Sequence, residues 1–83
     1  MTHHYRVIVS ASPKQITDRM GSWIEGTVEP LDPERCMVQF GGTSADDVAF
    51  WLGVLGADFE VVDSPELSAA VSRIAGRYAR AVR

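Results

Sequence analysis

The sequence predicts a single α+β domain, and three observations carry that prediction. Residues 5–11 and 35–40 alternate apolar and polar side chains, the period of half-buried strands. Val48, Trp51, Leu52 and Leu55 recur at the spacing of one helix face, as do Leu67, Ala70, Val71, Ile74, Tyr78 and Val82. Ser12-Pro13, Asp32-Pro33, Gly41-Gly42, Gly56 and Ser64-Pro65 punctuate these runs as caps and turns. The order is strand, helix, strand, strand, helix, strand, then a terminal helix. Two strand–helix–strand halves with right-handed crossovers pair into a four-stranded antiparallel sheet, with both inner helices on one face. That is a ferredoxin-like β-α-β-β-α-β arrangement with an additional C-terminal helix.

Each element has its own warrant. Residues 1–4 are polar and expected to fray; His3 and His4 have no third histidine to complete a metal site. In residues 5–11, Tyr5, Val7, Val9 and Ala11 form an apolar face against Arg6, Ile8 and Ser10. Ser12 caps the first helix, Pro13 takes its first position, and Gln15 stands where a capping box needs it. Ile16, Met20 and Trp23 carry its stripe until Gly21 weakens it, so the helix is short. Residues 26–31 form the second strand, with Pro30 marking an edge, a bulge or a strand end. After the Asp32-Pro33-Glu34 turn, Cys36, Val38 and Phe40 alternate with Arg35, Met37 and Gln39 in the third strand. Gly41-Gly42-Thr43 breaks it. Ser44 caps the second helix, with Asp47 three residues on, and Gly56 is its left-handed C-cap. Phe59-Glu60-Val61-Val62 is the fourth strand, and Ser64-Pro65 opens the last helix.

Composition sets limits on function. A chain of 83 residues is one small domain, which by size scaling buries roughly 60–65% of the surface its unfolded form exposes. The 46% apolar and 23% charged residues are ordinary for a globular protein. The net charge of −3 hides an asymmetry, because all 11 acids lie at or before Glu66 and only arginines follow it. A chain acidic overall is not an autonomous nucleic-acid binder. No apolar run approaches the ~20 residues needed to span a bilayer, and no signal-peptide pattern opens the chain. A soluble, cytoplasmic protein with no membrane partner is expected. Cys36 is the one cysteine, which excludes an internal disulfide and reads as a buried structural thiol.

Catalysis has little to stand on. Ser12, Ser44 and Ser64 read as caps, and no serine or cysteine is matched with a usable histidine. Asp46 and Asp47 are first-turn acids favoured by the helix dipole, and they would repel an anion from the Gly41-Gly42 loop. Trp23 and Trp51 read as core aromatics. Arg35, Met37 and Gln39 are not aromatic, unlike the base-stacking positions of RNA-recognition sheets. The expectation is no enzyme, no cofactor and no metal.

Surfaces are more informative. The mixed sheet face holds Arg6, Ile8, Ser10, Met37, Gln39, Glu60 and Val62, too apolar in places to stay fully wet. Either the last helix folds over it or another chain does, and docking on a neighbouring domain or a second copy is favoured. Ile8, Met37, Val62 and Tyr78 are the candidate interface residues. Arg73, Arg77 and Arg80 share one face of the last helix, with Arg83 beyond. They suit the negative helix C-terminus, and they also offer a contact for phosphate or another anionic ligand, including nucleic acid.

The run DVAFWL from Asp47, then LGADFEVV from Leu55, then Ser64-Pro65-Glu66-Leu67 resembles the C-terminal extension, WCX, of WYL-domain transcriptional regulators. Ala75-Gly76-Arg77-Tyr78 is similar to the family's "A-x-R-Y" ending, and residues 28–32, VEPLD, fit its second strand. Ser64 stands where a second proline is common. The resemblance runs from about Tyr5 to Tyr78. It implies a fragment of a bacterial transcription factor that holds DNA through a winged helix-turn-helix in a missing N-terminal domain. It also implies a homodimer, with a nucleic-acid or small-molecule effector. The WYL tripeptide and its ligand-binding basic residues lie outside these 83 residues. The alternative is a free-standing small-molecule-binding or dimerisation domain of like topology.

Overall fold

The structure, a computed structural model, describes residues 3–20, 26–42 and 44–82. Its elements are β1 (His3–Val9), α1 (Pro13–Met20), β2 (Gly26–Asp32), β3 (Arg35–Gly42), α2 (Ala45–Leu55), β4 (Phe59–Val62) and α3 (Pro65–Ala81). Each helix begins at a serine. Ser12 and Gln15 form the reciprocal box: Gln15 N–H donates to Ser12 Oγ at 3.2 Å, and Ser12 N–H to Gln15 Oε1 at 2.9 Å. Ser44 Oγ accepts from Asp47 N–H at 3.3 Å and Ser64 Oγ from Leu67 N–H at 3.1 Å. Gly56 ends α2 at φ 74°, the left-handed conformation that favours glycine.

The strands form one antiparallel sheet in the order β2-β3-β1-β4, with three helices completing an α+β fold. Several boundaries differ from the sequence reading. His3 and His4 do not fray; they extend β1 and pair with Gly42 and Gly41, which continue β3 rather than break it. Main-chain pairing needs no apolar side chain, so two glycines opposite two histidines lengthen the ladder that a hydrophobicity pattern ends early. At its other end β1 stops at Val9, although Ala11 is still buried. Trp23, read as a core aromatic of α1, lies outside the described residues, as do Gly21, Thr43 and Arg83.

Pro30 sits where proline can be tolerated: on the edge strand β2, with a register shift between Pro30 and Asp32. At the start of the same strand, a Cβ on Gly26 would collide with the Gln39 carbonyl of β3, so this close approach requires glycine.

Val7, Val9, Cys36 and Val38 are fully buried on the inner sheet face, under Ile16 of α1 and Leu52 of α2. Leu67 and Ala70 of α3 join the same core, with Val71 and Ile74 packed partly against it. α3 lies along α2. It does not fold over the outer sheet face. The turn into α3 is tight, with Asp63 at φ 50° between β4 and the Ser64 cap.

Candidate interaction surfaces

The registers place Glu29, Met37, Ile8 and Glu60 in one row across the outer face, beside a second row of Thr27, Gln39, Arg6 and Val62. Three of the predicted interface residues, Ile8, Met37 and Val62, are thus brought onto one surface. All three are half-buried and stand outside the core cluster. Around this apolar centre stand charges of both signs, Arg6 and Arg35 with Glu29, Asp58 and Glu60, all exposed. Arg6 reaches Asp63 at 3.7 Å. An apolar centre with a polar rim is the anatomy of a protein contact surface.

Tyr78 does not join that surface. The stripe of α3 is continuous in sequence, yet burial ends after Ile74, leaving Tyr78 60% and Val82 79% exposed. Helix length explains this: the 17 residues of α3 span roughly 25 Å at 1.5 Å per residue, against roughly 16 Å for the 11 of α2. The last turns of α3 pass beyond the helix that supports its start.

The three arginines of α3 are not equivalent. Arg73 Nη2 donates to Asp46 Oδ1 of α2 at 2.7 Å, tying the two helices. Arg80 turns back along its own helix, its Nη1 lying 3.1 Å from where a Cβ on Gly76 would stand. Arg77 is exposed on the turn between them. Sequence spacing found the arginine face but missed the partner of Arg73. A contact 27 residues away leaves no local signature.

Elsewhere, Asp32 and Cys36 are held by hydrogen bonds within the fold. Asp32 Oδ2 accepts from Arg35 Nε at 2.7 Å and its Oδ1 from Glu34 N–H at 2.8 Å. The Arg35 hydrogen bond, then that N–H, hold its carboxyl below the usual range. Cys36 is buried and donates to the Ala11 carbonyl at 3.2 Å; burial first, then the charge of Asp32, push its thiol up. It is the structural thiol its sequence context indicated. Burial also raises Tyr5, with the Glu66 charge adding to it. Among the described residues, no cluster of three or more histidines, cysteines or acids could hold a metal ion. Among them, too, no helix is long and apolar enough to cross a membrane.

Among the described residues, several hollows flank the core. A polar one of about 530 Å³ lies at the end of the sheet among Gln15, Asp18, Arg19 and Asp58. A shallower one of about 500 Å³ runs between β4 and α3.

Among the described residues, these features define a small α+β module with one sealed sheet face, one open sheet face and a projecting basic helix. A family model for the WCX domain matches residues 3–79, and the chain belongs to that family. The match supports the WYL-regulator setting that the sequence resemblance implied. No solved structure matches the chain.

Proposed function

We propose that this WCX module is a non-catalytic contact and effector-sensing domain of a bacterial, cytoplasmic WYL-type regulator that holds DNA through a helix-turn-helix elsewhere in its chain. In this reading two copies associate through the outer sheet face, and the exposed end of α3 offers Arg77 and Arg80 to an anionic effector. The ferredoxin-like name belongs to the same proposal, supported by the element order and by the central placing of β1 and β3. The observation that carries it is the open face. α3, the one element left over from the two strand–helix–strand halves, packs on the other side of the sheet. Among the described residues, no helix covers Ile8, Met37 and Val62, and their rim carries charges of both signs. A rim of both signs lets the arginines of one copy face the acids of the other despite the overall charge of −3.

The test is mass in solution, by sedimentation, with and without a single-stranded oligonucleotide. The proposal expects about twice 9.1 kDa for the chain alone, and oligonucleotide binding that weakens with salt and with Arg77→Ala plus Arg80→Ala. A monomer at all concentrations would remove the contact role. Binding indifferent to both arginines would remove the sensing role.

A further inference from the structure

The two edges of the sheet are built differently. β2 closes one side with Pro30 and a register shift, devices that discourage a further strand. β4, on the other side, has no proline and runs in unbroken register with β1 from Val9↔Phe59 to Arg6↔Val62. Just before it, Ser10 N–H donates to the Asp58 carbonyl at 2.8 Å, so Asp58 faces β1. By the alternation of an antiparallel ladder, Glu60 and Val62 also turn their main-chain groups toward β1. The N–H and C=O of Phe59 and Val61 therefore point away from the sheet. Among the described residues no strand meets them.

The side chains of Phe59 and Val61 lie on the inner side of the sheet, and with Ser68, Val71 and Ser72 of α3 they line the 500 Å³ groove. A strand laid along this edge would hydrogen-bond to Phe59 and Val61. It would also drop the side chains opposite them into the groove. Its alternate side chains would stand on the outer face, beside the exposed acids Asp58 and Glu60. A second β4 would set acid against acid there, so the edge does not suit its own copy. We propose that the β4 edge and its groove bind an extended segment of a partner protein that alternates apolar and basic residues, added as a fifth strand. This site borders the outer face through Glu60 and Val62 of β4, but it does not depend on association of two copies.

The probe is a fluorescein-labelled peptide of three lysine–valine repeats, with its glutamate–valine counterpart as control, read by fluorescence anisotropy and by amide exchange. The expected result is binding of the lysine peptide about tenfold or more tighter than the glutamate peptide, as one or two charge pairs would give. The Phe59 and Val61 amides should gain protection on binding. Val61→Pro removes an outward N–H while leaving the β1 ladder intact, and it should abolish binding in a protein that is still folded by circular dichroism. Glu60→Lys, on an exposed position, leaves Asp58 as the one acid there and should remove the preference between the two peptides, and it decides the matter if the proline variant does not fold. Failure of the lysine peptide to bind overturns the proposal. So does a folded Val61→Pro that binds as before, or a Glu60→Lys that keeps the lysine preference. Protection of both amides in peptide-free protein that rises with protein concentration would give the edge to a second copy instead.

Discussion

The two faces of the sheet are made by the same strands and end in opposite states. Toward the helices, Val7, Val9, Cys36 and Val38 are fully buried. One residue along in each case, Ile8 and Met37 are only half-buried, with Arg6 and Glu60 exposed nearby. Period-two alternation decides which residues share a face. It does not decide whether a face is covered; the connections do that. Both crossover helices lie on one side, and the tight turn at Asp63 returns α3 to that side as well. The contrast teaches that a mixed face can be left open by topology rather than by polarity.

The comparison can be broken first on the sealed face. Leu52→Ala should cost about 2–5 kcal/mol by transfer and cavity terms, from a side chain only 1% exposed. A domain of this size holds roughly 4–12 kcal/mol in all, so urea denaturation should show a large loss or a chain that no longer folds. Gly26→Ala should come next, at about 1–3 kcal/mol for strain, because its Cβ meets main chain that has no rotamer to yield.

On the open face the same experiment should read differently. Ile8→Glu should change the folding free energy of the separated chain by less than about 1 kcal/mol. It should still abolish association of two copies by sedimentation. A loss as large as that of Leu52→Ala would mean that the outer face is covered after all.

Smaller effects sharpen the picture. Arg73→Ala should cost about 0.2–1 kcal/mol, shrinking as salt rises, because the Asp46–Arg73 pair is exposed on both sides. Two of the shifted groups give pH limbs of opposite sense. Cys36 resists ionising in the folded chain, so the unfolded state loses its proton first. Stability should fall as pH rises through the ordinary thiol range near ~8.5, and Cys36→Ala should flatten that limb. Asp32 is shifted down. Its contribution should be complete above the ordinary carboxylate value near ~3.9 and be lost as pH falls through the lower folded value. Thermal melts of Asp32→Asn across that acid range check the sign.

Much of this was legible in the residues, for local reasons. Ser12-Pro13, Ser44 and Ser64-Pro65 announce helix starts because a cap hydrogen bond spans three residues. Gly56 announces a stop because its φ is positive. Ile8, Met37 and Val62 could be assigned to one face by alternation alone. What sequence could not supply was long-range. His3 and His4 join the sheet through main-chain pairing, to which side-chain patterning is blind. Tyr78 lies on the same stripe as Leu67, and only the length of the body beneath it shows that the stripe outruns its support. Arg73 and Asp46 meet because α3 lies along α2, a packing that no spacing rule encodes.

Met37 offers the most direct measurement, since its thioether sits at the middle of the open face and peroxide oxidises methionine wherever solvent reaches it. Oxidation of Met37 should be followed by mass spectrometry over a wide range of protein concentration, with sedimentation alongside. The account predicts fast oxidation in dilute solution and protection that grows in step with a species of twice the chain mass. Oxidation at one unchanging rate, in a chain that stays at 9.1 kDa throughout, would contradict it.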